Sequence, residues 1–204
     1  MRCFGDGNDL YGHYHDHEWG RPVVDERGLF ERICLESFQS GLSWLIVLRK
    51  RAHLREVFFA FDPRKVARFG AADVNRLLDD AGTIRNRAKI EAAVANARAT
   101  LDLRKGSTPL AELIWSFRPR PGGAARSFAQ LPSFTPESTA LAKALKGNGF
   151  RFFGPTTVYA LMQACGLVND HLAGCVVRDE VARDQASAPL GAFAQESSTI
   201  GGLR

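Results

Sequence analysis

Between Gly149 and Cys175 the chain reads GFRFFGPTTVYALMQACGLVNDHLAGC, and few folds can accommodate such a stretch. Two glycines, Gly149 and Gly154, bound a short turn. Pro155 then takes the first position of a helix, where its missing N–H costs nothing. Val158, Leu161, Met162 and Cys165 recur at i, i+3, i+4 and i+7, the apolar stripe of a helix that faces a core. A helix start behind a glycine turn presents free backbone N–H groups, which suit a phosphate. The stretch closes on His171 and Cys175, four residues apart and able to share one metal ion. A backbone grip at one end and a metal clip at the other point to a nucleic-acid-binding unit.

The rest of the sequence bounds the architecture. A chain of 204 residues, 45% hydrophobic, can build one sizeable core or two small lobes. It has no run of 18 apolar residues and no signal peptide, so it reads as a soluble, cytoplasmic protein with no membrane partner; separately, a monomer is expected. A net charge of +5 mildly favours a polyanionic partner. None of Cys3, Cys34, Cys165 and Cys175 forms a CxxC pair. Cys34 and Cys165 lie in apolar helical patterns and read as core thiols, which leaves Cys3 and Cys175 as metal-ligand candidates.

In chain order, residues 1–24 are rich in His, Tyr and Trp but show no helical or alternating period, so they read as an irregular arm that needs an anchor. Asp25 to Ser40 reads as a helix. Gly41 ends it, Ser43 can cap the next, and Trp44 opens the apolar run WLIVL. Asp62-Pro63 marks another helix start, followed by short and long helices over Ala71–Asp80 and Asn86–Arg104. The basic residues Arg85, Arg87 and Lys89 at the start of the latter form a solvated face unless an anion lies nearby. Further helices follow at Thr108–Phe117 and from Thr135 to Lys146. Beyond Val177 the sequence is polar and weakly patterned, and residues 178–204 read as a flexible tail. No strand runs stand out. The expected class is all-α, with residues 1–177 as one domain in which a central helical segment, roughly 50–110, makes a second lobe.

Two constellations carry chemistry. His171 and Cys175 supply two ligands, and tetrahedral zinc needs two more. The arm offers Cys3 and one of His13, His15 and His17. A Cys2His2 set such as Cys3, His15, His171 and Cys175 would tie the N-terminus to the end of the central stretch and leave no open coordination position, so the metal would be structural. The second constellation starts from Glu36, which falls on or beside the buried stripe of its helix. A buried carboxylate marks either a site or a boundary pair with an arginine. The turn itself, with Lys143 and Lys146 before it, resembles a helix-hairpin-helix, which holds phosphates of one DNA strand irrespective of sequence.

Together HDHEWGRP at 15–22, LESFQSGLSW at 35–44, DAGTIRNRAKI at 80–90 and GFRFFGPTTVYALMQACGLVNDH at 149–171 resemble the 3-methyladenine DNA glycosylase I family of the helix-hairpin-helix glycosylase superfamily. The resemblance spans Arg2 to about Cys175. It implies two helical lobes with a base pocket between them, structural zinc on Cys3, His15, His171 and Cys175, and a DNA-gripping hairpin formed by Phe150, Arg151, Phe152, Phe153, Gly154 and Pro155. It maps the pocket for an everted base onto Glu36, Tyr14 and Trp44, with Tyr11, Trp19 and Phe4 beside them. It further implies excision of cationic 3-methyladenine from double-stranded alkylated DNA, with an ionised Glu36 as the one catalytic carboxylate. Asp170 is then structural, and no lysine on the helix serves Schiff-base chemistry. The family usually shows a tryptophan after its first cysteine and a slightly longer spacer; here Phe4 and Gly5 stand there. A shifted preference for alkylated bases, or a DNA-binding module with an idle pocket, is the alternative.

Overall fold

The structure, a computed structural model, describes residues 1–106 and 108–189, and every regular element among them is a helix. In order these are α1 (Asp9–His17), α2 (Glu26–Gln39), α3 (Trp44–Val57), α4 (Pro63–Val66) and α5 (Ala71–Asp79). They are followed by α6 (Arg87–Lys105), α7 (Leu110–Trp115), α8 (Pro136–Gly147), α9 (Pro155–Ala164) and α10 (Arg178–Ser187). No helix among the described residues is long and apolar enough to cross a membrane.

Helix α2 lies at the centre, with every residue from Arg32 to Phe38 buried. Leu29, Phe30, Ile33, Cys34, Leu35 and Phe38 are all buried, so the helix cannot sit with one face in water. Asp25 caps its start by accepting the Gly28 N–H at 2.8 Å. Helices α3, α6, α7 and α9 pack around it. Helices α4 and α5 cover α6, while α8 pairs with α9. Between α3 and α4 the chain makes a left-handed turn at Phe59–Phe61, with φ of 54°, 50° and 53°. Burying Phe58 and Phe61, whose rings stack 5.5 Å apart, offsets the strain of that turn.

Most helix boundaries follow the caps read from sequence, and four expectations are corrected. The arm is not irregular: α1 begins behind Asn8, whose side chain accepts the Tyr11 N–H. Its inward face is Tyr11, Tyr14 and His15, with Glu18 at the C-cap, spaced as a helix requires but built from polar-tipped residues, so an apolar-period reading passes over it. Residues 178–187 are not a loose tail but α10, held by buried Val181 and by Gln185 Nε2 donating to Gly20 O at 2.8 Å and Val168 O at 3.1 Å. The remainder of the expected tail, 190–204, lies outside the described residues. The expected Thr108 start shifts, with Pro109 as the N-cap of α7. Finally, Lys89 is not on a solvated face. It is buried, and its Nζ donates to Phe38 O at 2.8 Å and to Ser40 O, satisfying carbonyls at the end of α2.

The turn between α8 and α9 is held from below. Gly149 adopts φ 87°, and Phe150 and Phe153 are buried in the core. Asn96, fully buried on α6, clamps the turn at Arg151, accepting its N–H at 2.7 Å and donating to its carbonyl at 3.3 Å. Nothing in the periodicity of α6 singles out Asn96. Asn96→Ala should lower stability by about 1–3 kcal/mol, the cost of leaving these groups unpaired, as read by denaturant unfolding.

Candidate functional site

The N-terminal helix, the start of α3 and the faces of α2 and α9 enclose a cavity of about 300 Å3. Glu36 and Gln39 from α2, Trp44 from α3, and Tyr11 and Tyr14 from α1 line it, with Phe4 and Trp19 completing the wall. All six residues expected around a base therefore face one space. Tyr14 and Trp44, both almost fully buried, stand with ring centroids 5.1 Å apart at 46°. Phe4 contacts Tyr11 at 4.8 Å and Trp19 at 5.0 Å between centroids. Four wall residues were not singled out from sequence: Gln39, Phe128, Ala160 and Gln163. Phe128 lies on a short turn far from every motif, and its ring centroid comes within 6.4 Å of that of Phe4.

The electrostatics of the cavity follow from how the arginines are used. Arg32 lies one turn before Glu36 on α2, yet its Nη2 donates to Glu18 Oε2 at 2.8 Å. Arg51 on α3 joins it, with Nη2 donating to Glu18 Oε1 at 2.7 Å. Burial works against ionisation of Glu18, but the hydrogen bond from Arg51 and the charge of Arg32 hold its pKa down at about 2. The boundary pair considered for Glu36 thus exists, but its carboxylate is Glu18. Glu36 is 4% exposed and forms no hydrogen bond or ion pair with the described residues. Burial pushes its pKa up to about 8, with the Arg32 charge acting in the other direction. The expectation of a standing negative charge is corrected: with the cavity free of ligand, this carboxyl is largely protonated at neutral pH. Trp44 Nε1 is likewise buried without a partner. An acid and an N–H without protein partners, on two residues lining one aromatic cavity, are groups that a bound ligand can satisfy.

Beside the cavity, Cys3, His15, His171 and Cys175 converge, their four ligand atoms all within 4.8 Å of one another. Cys175 Sγ lies 3.4 Å from His15 Nε2 and 3.3 Å from His171 Nδ1, and Cys3 Sγ lies 3.8 Å from His171 Nδ1. In a tetrahedral site with bonds of about 2.3 Å to sulfur and 2.0 Å to nitrogen, ligand atoms stand about 3.3–3.8 Å apart, and the three sulfur–nitrogen separations here match that range. The outer ring nitrogens are also engaged. His15 Nδ1 meets Asp16 Oδ1 at 2.8 Å and His171 Nε2 meets Trp19 O at 3.0 Å, the pattern that orients metal-bound imidazoles. Burial lowers His171 to about 4 and raises Cys3 to about 12, so these two groups favour their neutral forms until a cation arrives. Gly20 is required here: a Cβ would come 3.2 Å from the His171 ring, and its φ is +80°. His13 and His17 lie on α1 outside the cluster.

The turn at 148–154 places its predicted residues in two groups. Phe150 and Phe153 point into the core, and the Arg151 N–H is taken by Asn96. Gly154 and Phe152 are exposed, the latter at φ +66°, and Lys143 and Lys146 are exposed on α8. Behind Pro155, the N–H groups of Gly154, Thr156 and Thr157 have no acceptor among the described residues. They form the free N-terminus of α9.

The sequence model of the family described as methyladenine glycosylase matches residues 4–179. The chain belongs to the methyladenine glycosylase family. It is 50% identical over 169 residues to DNA-3-methyladenine glycosylase 1 of Escherichia coli K12, covering 81% of this chain and 90% of that protein. To the DNA-3-methyladenine glycosylase of Haemophilus influenzae it is 47% identical over 169 residues, 81% and 91% of the two chains. A crystal structure of 3-methyladenine DNA glycosylase I superposes with a TM-score of 0.84 at 49% identity, over 86% of this chain and 98% of the other. The Staphylococcus aureus 3-methyladenine DNA glycosylase I, solved to explain 3-methyladenine recognition, gives 0.82 at 35% identity over 86% and 95%. The all-helical fold is that of this methyladenine glycosylase family.

The buried carboxyl carries a stability signature. Because folded Glu36 titrates near 8 rather than at the ordinary 4.5, the native state binds the extra proton. It therefore loses stability as pH rises between those values. Glu36→Gln removes that loss. The variant should match the parent within about 1 kcal/mol at pH 5 and exceed it by up to about 4 kcal/mol at pH 8, measured by denaturant unfolding at both pH values.

Proposed function

We propose that this chain is a monofunctional DNA glycosylase that everts 3-methyladenine from alkylated DNA and hydrolyses its N-glycosidic bond, leaving an abasic site for base excision repair. The observation that carries this reading is Glu36, a buried carboxyl with no protein partner, in the wall of an aromatic cavity. Relatives at about 50% identity bear the name of this activity, and a variant of 3-methyladenine DNA glycosylase I has been solved in complex with 3-methyladenine.

The chemistry follows from charge. A purine methylated at N3 within DNA is a cation, and an unmodified adenine is not. The faces of Tyr14 and Trp44 attract a cationic ring more than a neutral one by about 0.5–2 kcal/mol each. The arriving charge also offsets the burial that keeps Glu36 protonated, so the carboxyl gives its proton to solvent and accepts hydrogen bonds from the base. Adenine brings no compensating charge and leaves Glu36 neutral. Selection is thus an electrostatic property of the cavity, and the base must leave the stack to reach it. The methylated purine is a good leaving group. Its bond breaks through a sugar cation, the base departs neutral, and water adds to the cation at C1′ with loss of a proton to solvent. Glu36 serves as the catalytic carboxylate by holding the base while that charge shifts to the sugar. No lysine stands on α9 for a Schiff base, and Asp170 is occupied as an acceptor for Tyr159 and Gln163.

In this reading the turn and the start of α9 form a helix-hairpin-helix. Backbone N–H groups around Gly154 meet phosphates behind Pro155, exposed Arg151 and Phe152 lie against the strand, and buried Phe150 and Phe153 fix the turn's shape. Residues 1–177 act as one glycosylase domain with its second lobe over roughly 50–110. Cys3, His15, His171 and Cys175 would hold a structural zinc; four protein ligands would leave it no open position, and it would tie the helix carrying Tyr14 to the loop after α9.

Two experiments test this. Incubation with methylated double-stranded DNA, followed by chromatography of the released bases, should yield free 3-methyladenine. Trp44→Ala and Glu36→Gln should each lower the rate by at least about tenfold, and unchanged rates in both would refute the pocket. Metal analysis of purified protein should find one zinc per chain, lost in Cys175→Ser together with stability; a folded, metal-free parent would refute the zinc.

A further inference from the structure

Gln163 lines the base cavity together with Ala160, one turn before it on α9, and its surroundings leave it a single way to meet a ligand. Its Nε2 donates to Asp170 Oδ2 at 2.7 Å, and the Tyr159 hydroxyl donates to the same oxygen at 2.7 Å. A carboxylate only accepts, so the NH2 end of the amide must face Asp170; turning the amide over would set two oxygens against each other. The backbone is pinned as well, because the Gln163 carbonyl accepts the Gly20 N–H at 3.1 Å. The amide oxygen Oε1 is left without a hydrogen-bond partner among the described residues. Asp170 is itself fixed by its place in the chain, immediately before His171 of the metal cluster.

We propose that Gln163 is a specificity determinant of the cavity: its Oε1, held as a fixed acceptor by Asp170 and Tyr159, accepts a hydrogen bond from the exocyclic amine of the everted purine. This rests on the glycosylase reading above and adds a second criterion to it. Glu36 selects for positive charge, which 3-methyladenine and 3-methylguanine share. Gln163 separates the two by the polarity of the purine's six-position. An amine there donates to Oε1, whereas the carbonyl of a guanine-type base would place oxygen against oxygen. Asp170 and Tyr159 act as positioning residues, since they set which end of the amide faces the cavity.

The test is the ratio of kcat/KM for excision of 3-methyladenine to that of 3-methylguanine from methylated DNA, compared between the parent, Gln163→Met and Asp170→Asn. Gln163→Met removes the acceptor with little change of shape. It should lower 3-methyladenine excision about tenfold and 3-methylguanine excision less than about twofold. Asp170→Asn can donate to Oε1, which frees the amide to turn, and should lower the ratio about fivefold. Damage to the fold or to the metal cluster would depress both rates together and leave the ratio where it was. Circular dichroism and metal content matching the parent select variants that are folded. A ratio within twofold of the parent in both folded variants overturns the role of Gln163. A parent that releases no 3-methyladenine overturns instead the glycosylase reading on which that role depends.

Discussion

Arg32 sits one turn before Glu36 on the central helix, within easy reach of an i, i+4 ion pair, and it is spent elsewhere. Glu18, from the segment after α1, draws Arg32 and Arg51 into one cluster and is held at about pKa 2 by them. That diversion leaves Glu36 buried and unpaired, with its pKa raised to about 8. Had the two α2 residues paired, the cavity would present a neutralised carboxylate with little left to offer a cation. The arrangement costs stability in the free protein and places an uncompensated acid where a positively charged ligand supplies what is missing.

The surrounding fold keeps that acid buried and the aromatic walls in place. Segments distant in sequence meet at the cavity's edge: the N-terminal helix, the ends of α2 and α9, and the loop ending in Cys175. Lys89 binds the last carbonyls of α2 just before the turn that leads into Trp44. Asn96 holds the α8–α9 turn from the same helix, α6. A single long helix thus steadies both the aromatic wall and the proposed phosphate grip. Gly20 and Gly166 let the arm cross closely over the end of α9: a Cβ at Gly166 would lie 2.6 Å from the Arg21 backbone.

Much of this was legible in the sequence, for physical reasons that differ by residue. Helix starts at Asp25, Asp62 and Thr135 could be read because capping depends on side chain and near neighbours alone. Cys3, His15, His171 and Cys175 could be brought together because metal ligation restricts residue types so severely, and the motif resemblance then chose among the histidines. Helix α1 was missed because its buried face carries Tyr and His in place of aliphatic residues. Helix α10 escapes an apolar-period reading because its composition is polar and only Val181 and Gln185 of it are buried. Asn96, Lys89, Phe128 and Gln163 were invisible for another reason: each owes its place to a partner far along the chain, and no local pattern encodes that pairing. The charge state of Glu36 belongs to the same class, since it depends on where Arg32 turns.

The central claim is that Glu36 stays protonated until a cationic base enters. The direct measurement is a carbon-13 NMR titration of the Glu36 side-chain carboxyl, assigned by comparison with Glu36→Gln, in the free protein and with 3,9-dimethyladeninium, a permanently charged mimic of the methylated base. The account predicts a midpoint near 8 in the free protein, falling by at least about one pH unit when the cation is bound. A free-protein midpoint near the ordinary 4.5, unmoved by the cation, would contradict it.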